Sequence, residues 1–142
     1  MVIEELKELS DQDLVEINIL LSQLTTGKSI TKDDLETLIK SECSTLLVAK
    51  MQPDKAPVGM LTLVTFRIPT GLKAQIEDVV VRENLRGKGI GKALVLKALE
   101  LAKAKGAKSV DLTSRPERVE ANSLYVSVGF KKRVTNVYRY EL

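Results

Sequence analysis

The spacing of apolar residues changes along the chain, and each change predicts a different element. Val2 to Leu6 has the pattern of a short strand. Ser10-Asp11-Gln12-Asp13 then supplies an N-cap and an acidic first turn for a helix whose apolar positions are Leu14, Ile17, Leu20, Leu21 and Leu24. Gly27 ends it, and Ser29-Ile30-Thr31-Lys32-Asp33-Asp34 opens a shorter helix with Leu35, Leu38 and Ile39 on one side. These helices read as a lid over the rest. From Cys43 the period becomes that of strands: Thr45 to Lys50, a turn at Gln52-Pro53-Asp54-Lys55, Val58 to Ile68, a turn at Pro69-Thr70-Gly71, and Leu72 to Val81. The expected arrangement is an antiparallel meander.

At Arg82-Glu83-Asn84-Leu85-Arg86-Gly87-Lys88-Gly89-Ile90-Gly91 the apolar pattern stops. A long helix follows, with Ile90, Leu94, Ala98 and Leu101 on its stripe and Lys105-Gly106 as its terminator. Ser109 to Thr113 predicts a short buried strand, and Ser114-Arg115-Pro116-Glu117 offers a capping box into a helix ending near Ser127. Gly129-Phe130 restarts β structure, and alternation through Val134, Val137, Tyr138 and Tyr140 predicts a closing strand or hairpin about Thr135-Asn136. This order is a mixed α/β domain whose long helix crosses between parallel strands.

The chain of 142 residues suits a single domain spanning 1-142, burying roughly 70% of the surface its unfolded form would expose. With 44% hydrophobic and 29% charged residues it has the balance of a globular protein, and nothing in it repeats. Cys43 is the only cysteine and there is no histidine, so an internal disulfide, a Cys/His zinc site and histidine catalysis are all excluded; no metal is expected. Glu4 and Glu5 stand where a leader would be basic, and no apolar run approaches the roughly 20 residues of a membrane span, so a cytoplasmic location without a membrane partner is expected. Net charge of +3 and 4% aromatic residues speak against nucleic acid.

The chemistry concentrates in the loop. A strand, the segment Arg86-Gly87-Lys88-Gly89-Ile90-Gly91-Lys92 and a helix start together form an anion site: the first helical amides lack internal partners, the dipole is positive there, and glycines admit a phosphate to the backbone. The dinucleotide pattern G-x-G-x-x-G fails at Lys92, and the P-loop pattern fails at Arg86 and Ala93. Arg86, Gly89 and Gly91 instead match R/Q-x-x-G-x-G/A, and the chain resembles the GNAT superfamily of acyl-CoA N-acyltransferases. The resemblance runs from about Val58 to Leu142. It includes Ile76-Glu77-Asp78-Val79-Val80-Val81 as the strand before the loop, Ser109 to Ser114 as the next parallel strand, and Ala121-Asn122-Ser123-Leu124-Tyr125 with Gly129-Phe130 as the following helix and turn.

That resemblance implies a GNAT fold: a mixed, mostly antiparallel twisted sheet with a central parallel pair splayed for CoA, flanked by about four helices. It implies acetyl-CoA as co-substrate. The pyrophosphate would lie on the amides of Arg86, Gly87, Lys88, Gly89, Ile90, Gly91 and Lys92, and the pantetheine arm would pair with the backbone of Val79, Val80 and Val81. Tyr125 would protonate the departing sulfur, and Asn122, three residues earlier on the same helical face, would hydrogen-bond the arm or cap the wall of the site. Glu77 is the candidate general base acting through water. Asp78 takes that role if a bulge turns it inward, an amine of lowered pKa needs no base at all, and a salt bridge from Glu77 to Arg67 or Arg82 is the structural alternative. Arg115 and Arg118 would be solvated helix-entry charges or contacts to an anionic group.

The activity so implied is transfer of an acetyl group from acetyl-CoA to a primary amine by direct attack in a ternary complex. The acceptor would be a small molecule or a peptide. The Ile76 to Val81 strand is similar to that of members acting on phosphorylated amino sugars, whereas Leu112-Thr113-Ser114-Arg115-Pro116 and Asn136-Val137-Tyr138-Arg139-Tyr140 are more like a bacterial branch of unassigned substrate. A CoA-binding sensor without turnover is the alternative. Members of the superfamily that pair through edge strands imply a homodimer as a further expectation.

Overall fold

The computed structural model describes residues 1–142. Strand β1 (Val2–Glu5) leads to helices α1 (Asp11–Leu24) and α2 (Lys32–Lys40), then to strands β2 (Ser44–Lys50), β3 (Pro57–Ile68) and β4 (Gly71–Val81). A 3-10 turn at Glu83–Leu85 precedes α3 (Ile90–Ala104), β5 (Val110–Asp111) and α4 (Val119–Val128). The sheet order is β1-β2-β3-β4-β5, antiparallel except for β4 with β5. This is the α/β architecture expected, with the crossover helix α3 joining the parallel pair.

The helix boundaries have local causes. The Ser10 hydroxyl accepts from the Asp13 amide at 3.1 Å and the Asp13 carboxylate accepts from the Ser10 amide at 3.0 Å, a reciprocal capping box that satisfies amides at both ends of the first turn. Thr31 caps α2 in the same sense, through Asp34. Asn18 grips Ile30, accepting from its amide at 2.8 Å and donating to its carbonyl at 3.1 Å, and so ties the connection between the two helices to α1.

Period-two alternation sorts the strands into two cores. Leu47, Ala49, Leu61, Leu63, Ala74 and Ile76 face Ile90, Leu94, Val95, Ala98 and Tyr125 of α3 and α4. Leu46, Val48, Met60 and Val80 face Ile17, Leu20 and Leu35 of α1 and α2. The first two helices are therefore structural partners of the sheet as well as a cover. Gly59 lets α3 approach closely: a Cβ there would stand 3.3 Å from Ile90 Cγ2 and from Leu94 Cδ1.

One residue departs from this regularity. Met60 pairs with Val80 and Thr62 with Glu77, so β4 spends one residue more than β3 between those pairs. The extra residue makes a bulge at Asp78, the one non-glycine residue with positive φ, at 52°. The bulge exchanges faces: Ile76 lies on the α3 side, and beyond it Val79 and Val81, not Val80, return to that side.

The last third differs from expectation in three places. Strand β5 is confined to Val110–Asp111 because its ladder holds only Ala74 with Val110 and Gln75 with Asp111 before the strands part. Helix α4 begins at Val119, not at the Ser114 capping box: Arg118 and Val119 amides close turns onto Arg115 and Glu117 carbonyls, and the side chain of Asn122 takes the Arg115 carbonyl at 3.0 Å. The expected closing strand or hairpin about Thr135-Asn136 does not form; residues 131–142 are exposed and outside any helix or strand. Alternation alone does not make a strand, since a strand exists only where its backbone pairs, and no backbone hydrogen bond forms beyond Phe130.

Positive φ at a side-chain-bearing residue costs about 1–2 kcal/mol. Asp78→Val should therefore lower stability in urea by that order, whereas Asp78→Gly should stay within about 0.5 kcal/mol of wild type. Equal stability of the two variants would mean that β4 is not bulged at this position.

Candidate active site

The site begins where β4 and β5 separate. Beyond Gln75 no strand pairs with β4 on its β5 side, so its backbone edge from Ile76 to Val81 is open. A cavity of about 910 Å³ lies against this edge. Val79, Val80 and Val81 line it from β4, and Leu85, Arg86, Gly87, Gly89, Ile90, Gly91 and Lys92 from the loop and the start of α3. Glu117 and Arg118 line it from the turn before α4, Val119 to Ala121 and Ser123 to Tyr125 from α4, and Gln23 and Leu24 from the end of α1. Because the Val80 side chain is buried in the α1/α2 core, what it offers the cavity is backbone.

The loop has the geometry that an anion requires. Gly87 and Gly89 adopt φ of 77° and 83°, and Gly89 is the N-cap of α3 in a left-handed conformation. The amides of Gly87 to Lys92 find no acceptor among the turn and cap hydrogen bonds of the chain. A run of free amides at the positive end of a 15-residue helix attracts phosphate oxygens. At Gly91 a Cβ would make ordinary contact with Leu124 Cδ1 at 3.4 Å and Val81 Cγ2 at 3.7 Å, so α3 packs closely on α4 and β4 here. Arg86 Nε donates to the Val81 carbonyl at 3.3 Å, binding the loop to the end of the open strand.

The opposite wall is held by α1. Arg82 is ion-paired to Glu16, and the Glu83 amide donates to Gln23 Oε1 at 2.7 Å. These contacts dock the end of α1 on the corner between β4 and the glycine loop.

Tyr125 is the buried polar group of the cavity, 6% exposed, with its ring edge-on to Phe130 at a centroid separation of 5.9 Å. Burial pushes its phenol pKa above the ordinary tyrosine value, partly offset by the nearby Arg118 charge. The consequence is a phenol that keeps its proton through neutral and mildly alkaline pH.

The remaining sequence candidates stand elsewhere. Lys88 is in the loop but outside the cavity lining, as is Asn122, whose side chain holds the Arg115 carbonyl. Glu77 and Asp78 are exposed at the bulge and make no ion pair; Arg82 is engaged by Glu16 and leaves Glu77 free. Arg118 lines the cavity and Arg115 does not. No group of three or more His, Cys, Asp and Glu side chains is arranged to hold a metal ion. Gln23, Leu24, Leu85 and Leu124 were not singled out by their sequence context; only the packing of α1 and α4 against the loop brings them in.

The glycine loop, open strand edge and buried tyrosine occupy the region matched by the model of the acetyltransferase (GNAT) family, which spans residues 13–130. The chain belongs to the GNAT acetyltransferase family. It is 31% identical over 133 residues to a glucosamine 6-phosphate N-acetyltransferase of Trypanosoma brucei brucei, covering 89% of this chain and 88% of that one. It is 32% identical over 124 residues to an uncharacterized N-acetyltransferase of Bacillus subtilis, covering 87% and 73%. Among solved structures, a Trypanosoma brucei acetyltransferase superposes with a TM-score of 0.79 at 26% identity over 99% of both chains. Arabidopsis thaliana glucosamine-6-phosphate N-acetyltransferase superposes at 0.80, with 23% identity and 99% of both chains covered.

The chain is thus an acyl-CoA-dependent acetyltransferase, and acetyl-CoA is the co-substrate of its family. The cavity fits that molecule chemically: free amides and basic side chains at one end for a pyrophosphate, an open strand edge in the middle for the amides of an extended arm. Gly89→Glu should put a carboxylate where the amides converge and lower acetyl-CoA affinity, measured by calorimetry, by at least about tenfold, or 1.4 kcal/mol. Undiminished binding by a folded variant would separate the loop from the cofactor site.

Proposed function

We propose that these 142 residues act as one GNAT domain that acetylates a primary amine by direct attack in a ternary complex. The observation that carries this reading is the placing of Tyr125 and the open edge of Val79 to Val81 on the same cavity as the glycine loop. Acetyl-CoA brings a thioester already activated for transfer, so no covalent enzyme intermediate is needed. The protein's work is to bind it extended, to deliver the amine to the carbonyl carbon and to manage protons and charge.

In this proposal, the amides of Gly87 to Lys92 bind the pyrophosphate, with Arg86 and Lys92 adding charge. Lys88, outside the lining, contributes its amide and long-range attraction only. The backbone of Val79, Val80 and Val81 orients the arm, and an amide at Val79, turned by the bulge, donates to the oxygen on which charge develops. Tyr125 donates its proton to the sulfur as the C–S bond breaks. The proton lost by the attacking amine passes through water to Glu77 or Asp78, which stand unpaired on the strand that carries the acyl site. Asn122 acts by holding the Arg115 carbonyl and with it the entrance to α4.

The T. brucei relative makes glucosamine 6-phosphate the first acceptor to test, followed by other small amines and peptide N-termini. Turnover with any of them supports the enzyme reading. Tight acetyl-CoA binding without turnover across the panel would favour a sensor.

Tyr125→Phe should keep acetyl-CoA binding and reduce kcat by about 10²–10⁴-fold, the usual worth of a positioned general acid. The sign of its pH dependence follows from the raised phenol pKa. Loss of the proton would lower the rate only above the ordinary tyrosine value of about 10. The wild-type kcat should therefore show no tyrosine-dependent fall between neutrality and that pH. A fall there that persists in Tyr125→Phe belongs to another group, and an undiminished kcat in the variant removes Tyr125 from the chemistry.

A further inference from the structure

Between the open strand edge and the glycine loop the main chain has little left to offer a ligand. The Arg82 amide donates to the Val58 carbonyl, the Leu85 amide to the Arg82 carbonyl and the Arg86 amide to the Glu83 carbonyl. The Glu83 amide goes to Gln23 Oε1 at 2.7 Å, and the Val81 carbonyl already accepts from Arg86 Nε. Asn84 stands outside the cavity lining. An extended molecule that leaves β4 after Val81 therefore reaches the free amides beginning at Gly87 across a gap that only a side chain can serve.

Gln23 stands in that gap. It follows Glu16 by about two turns of α1, so the two share a helix face and grip consecutive residues at the end of the strand, Glu16 holding Arg82 and Gln23 holding Glu83. An amide N–H must face an acceptor, so the bond to Glu83 fixes which atom of the carboxamide is turned to the corner. Oε1 is engaged there, and Nε2, a donor only, is left. Nε2 donates to nothing in the chain and is not sealed in the core, and Gln23 lines the cavity. Leu24, next in the chain, and Leu85, two residues beyond Glu83, line the same cavity. The corner thus pairs a neutral donor with apolar surface, a different chemistry from that of the phosphate-binding amides beside it.

We propose, resting on the reading that lays the arm of acetyl-CoA along Val79 to Val81, that Gln23, Leu24 and Leu85 form a subsite for the branched segment that joins this arm to the pyrophosphate. That segment carries two methyl groups, a hydroxyl and the first amide carbonyl of the arm. The methyl groups suit the two leucines, and Gln23 Nε2 donates to the hydroxyl or carbonyl oxygen. One carboxamide then joins the ligand to the Glu83 amide, so that α1 holds the cofactor as well as the corner.

Calorimetry on the full chain with two ligands tests this, acetyl-CoA and 3'-phosphoadenosine 5'-diphosphate, which keeps the pyrophosphate and lacks the arm. Gln23→Glu retains an acceptor for the Glu83 amide and loses the donor, whereas Gln23→Met loses both without adding charge. Relative to the armless nucleotide, each variant should bind acetyl-CoA roughly threefold to tenfold more weakly than wild type does, the share of one neutral hydrogen bond. Binding of the nucleotide itself shows that the variants are folded. An unchanged ratio in either variant overturns the proposal: a loss in Gln23→Met alone belongs to the Glu83 contact, and a loss in Gln23→Glu alone to the added charge. In those cases the wild-type preference for acetyl-CoA over the nucleotide would stand, and with it the place of the arm on the strand edge. A wild type that binds the two ligands equally well would instead take the arm off that edge, and this subsite with it.

Discussion

The bulge at Asp78 is the constraint on which the site depends. Without an extra residue in β4, alternation from Ile76 would send Val80 to the α3 side and Val79 to the α1 side. With it, Val79 and Val81 pack towards α3 and α4 while Val80 seals the opposite core. The strand thus stays anchored on both faces to its last residue, although it has lost its β5 neighbour. Its edge remains rigid and unpaired at once, a combination that an ordinary strand end, free to fray, would not provide. Asp78 bears the cost in its positive φ, and strained backbone of this kind tends to persist where surrounding packing over-determines it.

The glycine loop makes a second unsatisfied region next to the first. Free amides from Gly87 to Lys92 and the open edge of β4 meet in one cavity, walled by α4 and closed at the corner by α1. The corner is fixed by polar contacts, Arg82 with Glu16 and Glu83 with Gln23, and these link the otherwise remote first helix to the corner that leads into the glycine loop. Tyr125 adds a buried phenol, its ring packed edge-on against Phe130. Backbone donors without partners are costly when dry, so such a cluster is stable in a native protein only where water or a ligand answers it.

Much of this was legible from local chemistry. The Ser10 cap, the α3 stripe from Ile90 to Ala98 and the glycine loop each depend on residues close in sequence, and each formed where expected. The adjacent Glu77 and Asp78 interrupted the alternation of β4, and the bulge is the reason. What was not legible depends on distant contacts. Gln23 and Leu24 reach the cavity only through docking of α1, the Ser114 capping box lost to turns that start α4 at Val119, and the tail has strand alternation but pairs with no strand. Asn122 donates to the Arg115 carbonyl before α4 and stands outside the cavity lining, a placement that its sequence context did not fix.

One cavity, formed where β4 parts from β5, is proposed to receive acetyl-CoA along the strand edge and on the glycine loop together. Amide hydrogen exchange with and without acetyl-CoA tests it most directly. Slowed exchange in both Val79 to Val81 and Gly87 to Lys92, with the rest of the sheet unchanged, is the expected result. Protection of the loop alone, or of neither segment under saturating acetyl-CoA, would contradict it.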